Sequence, residues 1–208
     1  MRHFQHLFVA ILFVASLPAV QSARAAESGD CIRGTSSSPI KIEVFSDFQC
    51  PACQAFYLRT MRNVFTEYAD TGKACVVYRE FPLESIHPHS REAAQYGHAA
   101  MRVGVPQWGQ VADALFENQQ AWGSSGDLEP VIAKVLSPDD LAALHQELEN
   151  KASLNAAIDA DLKMGIERGV GSTPTFFVTA NGSTQKVAAA VQYAILKRFL
   201  DSQLAKGN

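Results

Sequence analysis

The segment Phe45-Ser46-Asp47-Phe48-Gln49-Cys50-Pro51-Ala52-Cys53 joins a predicted strand to a predicted helix and carries two cysteines three positions apart. Ile40 to Phe45 is β-branched and aromatic, which predicts the strand. Pro51 suits the first turn of a helix, because its missing N–H would have no partner there. From Ala52 to about Tyr68, apolar residues recur at roughly helical spacing: Phe56, Met61, Val64 and Phe65. The segment therefore predicts a cysteine pair at the N-terminus of a helix that follows a strand.

This position gives the two cysteines different chemistry. The unpaired N–H groups and the dipole of the helix stabilise an anion at Cys50, so its pKa should fall below the usual value of about 8.5. Cys53 lies one turn further in, more buried, where it can attack a mixed disulfide formed on Cys50. We therefore predict Cys50 and Cys53 as the catalytic pair, with Pro51 and Ala52 forming the active-site loop between them.

The same spacing also suits a zinc site, a copper(I) site or an inert disulfide. A zinc site would be supported by a second C-x-x-C or by a C-x-x-H, and neither is present. We expect no metal here, and His87-Pro88-His89 is interpreted as a loop that starts the next helix.

The remaining pattern predicts an α/β chain. A second strand runs from Cys75 to Phe81, and the character then changes to helix from Ser90 to Arg168. Strand residues return at Thr175, and Asn181-Gly182 is typical of a hairpin turn. We expect one domain over residues 26–208, in which a short N-terminal strand around Cys31 completes the sheet. A helical insertion should occupy about residues 88–168, and a last helix should run over about residues 191–204.

The N-terminus has the pattern of a secretory signal. Arg2 and His3 precede the apolar stretch Leu7–Leu17, and Ala23-Arg24-Ala25 matches an A-x-A cleavage site. We expect residues 1–25 to be removed near Ala25 and the mature chain to be periplasmic or otherwise extracytoplasmic. No apolar run reaches the roughly 18 residues that a membrane span needs.

Charge and composition exclude one class of function. The 208 residues include 18 Lys and Arg against 21 Asp and Glu, for a net charge of −3. Because no basic patch is present, we do not expect nucleic-acid binding.

Three segments together resemble the DsbA-like branch of the thioredoxin superfamily. They are residues 45–53, Arg79-Glu80-Phe81-Pro82-Leu83 with His87-Pro88, and Gly171-Ser172-Thr173-Pro174-Thr175-Phe176-Phe177, and the resemblance covers roughly residues 36–205. It implies a thioredoxin fold, with a central mixed sheet and a helical insertion between the second βα unit and the cis-proline hairpin. It also implies that Pro174 is a cis-proline facing the disulfide and that the backbone of Thr173 binds the substrate chain.

The resemblance implies a thiol–disulfide oxidoreductase, most simply a DsbA-type oxidase of cysteine-containing exported proteins. A membrane redox partner would regenerate it, no organic cofactor is needed because the disulfide carries the electrons, and we expect a monomer. A reductase or isomerase of the same fold and a copper(I)-binding module are the alternatives. The Pro51-Ala52 dipeptide lacks the histidine of strongly oxidising members.

Three further expectations depend on this fold. Many relatives carry an acid six positions before the first cysteine, but Val44 stands there, and Glu43 should face the other side of the sheet.

Four cysteines allow three pairings, and the fold would bring the strand near Cys31 beside the strand that begins at Cys75. We therefore expect a structural disulfide between Cys31 and Cys75, and we expect Phe48 on the apolar surface around Cys50.

Overall fold

The computed structural model describes residues 30–207. The predicted signal peptide, residues 1–25, lies outside the described residues. Within residues 30–207, no helix combines the length and the apolar character that crossing a membrane requires.

A four-stranded mixed sheet forms the centre of the described chain, in the order β2-β1-β3-β4. β1 runs parallel to β2 and antiparallel to β3, and β3 and β4 form an antiparallel hairpin. The hairpin turn is made by Asn181 (φ 51°) and Gly182 (φ 72°), the left-handed pair that such a turn requires. The strands are Ile40–Ser46 (β1), Ala74–Glu80 (β2), Thr175–Ala180 (β3) and Ser183–Val187 (β4).

One long helix, α1 (51–69), follows β1 and covers one face of the sheet. Its α-helical parts, Pro51–Phe56 and Arg62–Val64, alternate with π-helical turns at Tyr57–Met61 and Phe65–Ala69. The Phe56 ring stacks on that of Phe176 in β3, with 5.0 Å between ring centres. Burial of this apolar stripe attaches the helix to the sheet, so the residues at its first turn have a defined position.

The helical insertion occupies residues 90–167. The helical stretch is interrupted near Gly104, Gly123 and Ser137, and the Ser137 hydroxyl caps the helix that follows it by accepting from the N–H of Asp140. A further break at Asn150 was not predicted, because helix-forming residues stand on both sides of it. The helices are Ser90–Val103 (α2), Val105–Glu117 (α3), Gln119–Trp122 (α4), Glu129–Ile132 (α5), Pro138–Glu149 (α6) and Lys151–Glu167 (α7).

The other face of the sheet is covered by α7, and the chain ends in α8 (Tyr193–Gly207). Gly165 of α7 lies so close to the sheet that a Cβ on it would be 2.5 Å from the Phe81 ring. Phe81 belongs to a small apolar cluster with Phe45, Val170 and Phe177. β1 is therefore covered on both faces, which explains why five of its seven residues, 42–46, are buried without interruption.

The predicted N-terminal strand around Cys31 is wrong. Only an isolated bridge pairs Arg33 with Val76. The Ile32 N–H donates to the Val76 carbonyl at 2.8 Å, and the Val76 N–H donates to the Arg33 carbonyl at 2.9 Å. Gly34 then takes a left-handed conformation (φ 79°), and a Cβ there would lie 1.9 Å from the carbonyl oxygen of Ala74. The chain turns away from β2 at this glycine, so the pairing cannot extend into a strand.

Candidate active site

Cys50 and Cys53 lie where β1 passes into α1. Cys50 is the N-cap residue, with extended backbone angles (φ −76°, ψ 121°), and Pro51 occupies the first turn. The Cys50 carbonyl accepts from the N–H of Gln54 at 3.0 Å, and the Cys50 N–H donates to the Asp47 carbonyl at 3.1 Å. Both cysteines are free thiols, so the structure shows the reduced form of the pair.

The two sulfurs differ strongly in acidity. The Cys53 thiol, together with Thr173 and the backbone N–H groups of Cys53 and Ala52, lowers the pKa of Cys50 to about 5 against the opposing effect of burial. Burial and the neighbouring Cys50 sulfur raise the pKa of Cys53 well above its ordinary value. The helix terminus therefore contributes to the shift, as the sequence indicates, but the Cys53 thiol contributes more.

The loop before β3 faces this pair. The bond between Thr173 and Pro174 is cis, and Pro174 is buried. The Cys50 thiol donates to the Thr173 carbonyl, with 3.4 Å between sulfur and oxygen. Thr173 thus lies immediately beside the Cys50 sulfur.

The helical insertion holds the active-site loop through glutamine side chains. Gln119 of α4 is buried, and its Nε2 donates to the carbonyls of Phe48 at 2.7 Å and of Cys50 at 3.0 Å. In the opposite direction, Gln49 donates to the Gly123 carbonyl at 2.6 Å. These bonds connect the reactive segment to a part of the chain about 70 residues away.

Replacing Gln119 by Ala should destabilise the protein by about 1–3 kcal/mol, because the buried carbonyls of Phe48 and Cys50 each lose a donor. Urea unfolding measures this loss. The neighbouring Gln120 is exposed, so Gln120→Ala is the matched control and should change stability by less than about 0.5 kcal/mol. Equal losses in the two variants would contradict the role given to Gln119.

The histidine segment is a loop in the structure, and α2 begins directly after it at Ser90. The His87 Nδ1 lies 2.7 Å from Oδ2 of the buried Asp47. Asp47 also accepts from the N–H groups of Gln49 and Leu83. His87 therefore ties the loop after β2 to the active-site segment, and residues 30–207 hold no group of three metal-binding side chains.

Phe48 does not lie on the surface around Cys50, so that expectation is wrong. Its side chain is buried and packs on Phe116 of α3, with 5.0 Å between ring centres. The insertion covers it, an arrangement that a local sequence pattern does not reveal. The surface next to the cysteines instead has a depression of about 280 Å³, lined by Gln49, Pro51, His87, Gln119, Gln120, Gly123 and Ser124.

Acidic residues near the site lie on both faces of the sheet. Glu43 faces away from the cysteines, as strand alternation predicts, and pairs with Arg79 and Arg168. Val44 is buried on the cysteine face. Sequence reasoning missed Glu80 of β2, a buried carboxyl in register with Ser46. The signal was available, because Val76, Tyr78 and Glu80 alternate along one face of a predicted strand.

Cys31 and Cys75 form a disulfide, with 5.4 Å between their Cα atoms. The bridge between Arg33 and Val76 places the two residues side by side. The disulfide attaches the N-terminal segment to β2, the edge strand of the described sheet.

A low-pKa thiol at a helix N-terminus, a buried partner thiol one turn away and a facing cis-proline loop, all on a thioredoxin fold, define a thiol–disulfide oxidoreductase of the DsbA-like type. The chain belongs to the thioredoxin family, whose model matches residues 26–202.

Individual relatives agree with this placement. The "Probable disulfide bond formation protein D" of Bacillus cereus is 23% identical over 177 residues, which cover 83% of this chain and 78% of that protein. A crystal structure of Wolbachia pipientis alpha-DsbA1 superposes with a TM-score of 0.69 at 21% identity, over 84% of this chain and 90% of that one. Oxidised BdbD from Bacillus subtilis gives a TM-score of 0.68 at 17% identity, over 88% and 100%. These structures show that the fold is shared.

The low pKa of Cys50 predicts a thiolate at neutral pH in the reduced protein. Absorbance of the thiolate in the ultraviolet should titrate with a midpoint near 5, and Cys50→Ser should remove this transition. Because the pKa is lowered by folding, the thiolate stabilises the reduced protein fully above the ordinary thiol pKa, and this stability is lost as the pH falls through about 5. A midpoint near 8.5, the value of a free cysteine, would contradict the assignment.

Proposed function

We propose that the mature chain is an exported DsbA-type oxidase, which transfers the Cys50–Cys53 disulfide to pairs of cysteines in other exported proteins. The observation that carries this proposal is the position of Cys50 at the N-terminus of α1, beside Cys53 and Thr173, which lowers its pKa to about 5. A thiol with that pKa is a good leaving group, and its stable thiolate favours the reduced protein, which makes the disulfide form an oxidant.

The transfer takes two steps. A substrate thiolate attacks the Cys50 sulfur, the bond between Cys50 and Cys53 breaks, and a mixed disulfide forms. A second substrate thiolate then attacks the substrate sulfur of the mixed disulfide, and Cys50 leaves as a thiolate. The substrate loses two electrons, and the enzyme holds them as the reduced pair.

The surroundings of Cys50 suit an extended polypeptide substrate. Thr173 lies at the loop that precedes β3, where its backbone can pair with a substrate chain in the manner of an added strand. Such pairing uses main-chain atoms, so it accepts many sequences. Neither an organic cofactor nor a metal takes part in these steps, and a membrane redox partner would remove the two electrons and restore the disulfide.

The test uses a reduced peptide that contains two cysteines. The oxidised protein should convert the peptide to its disulfide form while two thiols appear on Cys50 and Cys53, as measured by mass spectrometry after alkylation. The reverse assay measures reduction of insulin disulfides by the reduced protein. Rapid insulin reduction without peptide oxidation would make the protein a reductase and overturn the proposed direction.

A further inference from the structure

The disulfide between Cys31 and Cys75 lies at the surface of the described chain. Both cysteines line a depression of about 270 Å³. The other residues that line it are polar or charged: Asp30, Ser36, Ser38 and Lys41. Cys31 is partly exposed, whereas Cys75 is buried in β2. Because exposed disulfides exchange with thiols more readily than enclosed ones, this bond is open to attack, and the Cys31 sulfur is the more accessible end.

The charges beside the two sulfurs differ. Lys41 of β1 stands directly opposite Cys75 in the parallel pairing with β2. Residues in register on neighbouring strands share a face of the sheet and lie about 4.8 Å apart. Asp30, which is exposed, directly precedes Cys31 in the chain. A thiolate is therefore favoured on Cys75 by a neighbouring cation and disfavoured on Cys31 by a neighbouring anion.

The next charged residue along this face of β1 does not cancel the effect of Lys41. Glu43 lies two residues further along the strand and pairs with both Arg79 and Arg168. Its negative charge is balanced by these two guanidinium groups. Lys41 can therefore stabilise an anion on the sulfur opposite it.

The N-terminal segment has attachments to β2 besides the disulfide. The Ile32 N–H donates to the Val76 carbonyl at 2.8 Å, and the Val76 N–H donates to the Arg33 carbonyl at 2.9 Å. The Ile32 side chain is buried in the main apolar core. These contacts keep Cys31 close to Cys75 after their bond opens, so the disulfide can close again.

We propose that Cys31 and Cys75 form a second thiol-exchange site, which reacts with small thiols of the glutathione class. The thiolate of the small molecule bonds to the Cys31 sulfur, the bond between Cys31 and Cys75 breaks, and its electron pair stays on Cys75 as a thiolate beside Lys41. In the closing direction, the Cys75 thiolate attacks the Cys31 sulfur and the small thiolate leaves. The inference does not depend on the proposed function, because Cys50 and Cys53 take no part in either step.

The test exposes the oxidised full chain to reduced glutathione at neutral pH. Samples are quenched and alkylated at intervals, and mass spectrometry of the peptides reports each of the four cysteines separately. The expected early product carries glutathione on Cys31 and the alkyl label on Cys75. The Cys50–Cys53 pair is followed in the same samples, so reaction at the two sites is distinguished.

The variant Lys41→Gln should open the Cys31–Cys75 bond about 3–10-fold more slowly. Loss of an adjacent cation raises a thiol pKa by about 1–2 units, and a thiol of higher pKa leaves more slowly. Lys41→Arg keeps the charge and should restore the rate. The matched control is Lys73→Gln, which removes a cation that contacts Glu67 and Tyr68 of α1 and should leave the rate unchanged.

Two results would overturn the inference. One is a Cys31–Cys75 disulfide that stays closed in the wild type after Cys50 and Cys53 are fully reduced. The other is glutathione on Cys75 with a free thiol on Cys31, which would reverse the assigned roles. Equal opening rates in the wild type, Lys41→Gln and Lys73→Gln would overturn the part given to Lys41.

Discussion

Cys50→Ser should abolish disulfide transfer, whereas Cys53→Ser should still react once and then accumulate as a mixed disulfide. Only Cys50 has the lowered pKa and lies beside Thr173, so the hydroxyl of serine cannot replace its sulfur as a nucleophile or leaving group. Cys53 is buried and can only resolve a disulfide already formed on Cys50. The expected loss for Cys50→Ser is complete within the sensitivity of the peptide assay.

Mass spectrometry without reducing agent separates the two variants. Cys53→Ser incubated with an oxidised peptide should carry the peptide on Cys50, and Cys50→Ser should carry none. Gln120→Ala, an exposed change beside the same depression, should transfer disulfides like the wild type. Peptide attached to Cys53 in the Cys50→Ser variant would contradict the assigned roles.

Removal of the Cys31–Cys75 disulfide should have the largest effect on stability. The double variant Cys31→Ala with Cys75→Ala should lose about 2–4 kcal/mol of unfolding free energy, because the unfolded chain is no longer constrained by a cross-link between residues 44 positions apart. Urea unfolding of the oxidised proteins at neutral pH measures the difference.

The matched control is Cys50→Ala with Cys53→Ala. The disulfide between Cys50 and Cys53 closes only a very short loop and constrains the unfolded chain little. Its removal should therefore lower the free energy of unfolding much less. Coincident unfolding curves for the Cys31/Cys75 variant and the wild type would show that the N-terminal attachment does not contribute to stability. Disulfide transfer should survive in the Cys31/Cys75 variant at temperatures at which it is folded.

The active-site segment was predictable because its signals are local. Pro51 at a helix start and the spacing of Cys50 and Cys53 act within one turn, and the structure places them as these signals indicate. The position of Thr173 beside Cys50 came from the resemblance and not from the residues alone.

The parts that were missed depend on contacts between distant segments. Gln119 reaches the carbonyls of the active-site loop across about 70 residues, and Phe48 is buried only because α3 covers it. The strand predicted near Cys31 fails at Gly34, whose tight approach to Ala74 turns the chain away. Glu80 lies within a correctly predicted strand, but its burial is visible only once the surrounding helices are in place.

The lowered pKa of Cys50 has a quantitative consequence for the redox potential of the pair. At pH 7, a Cys50 thiol with a pKa of about 5 favours the reduced protein roughly 100-fold over one with an unshifted pKa of 9.0. For a two-electron couple this corresponds to a potential about 60 mV more oxidising. The missing histidine between the cysteines is therefore compensated in part by Cys53 and Thr173.

The equilibrium reduction potential of the Cys50–Cys53 pair against glutathione tests the proposed oxidase function most directly, with Cys31 and Cys75 kept as a disulfide and checked by thiol labelling. For a DsbA-type oxidase we expect a value well above the roughly −270 mV of thioredoxin, toward the roughly −120 mV of DsbA. A value near about −270 mV would contradict it and would make the protein a reductant of disulfides.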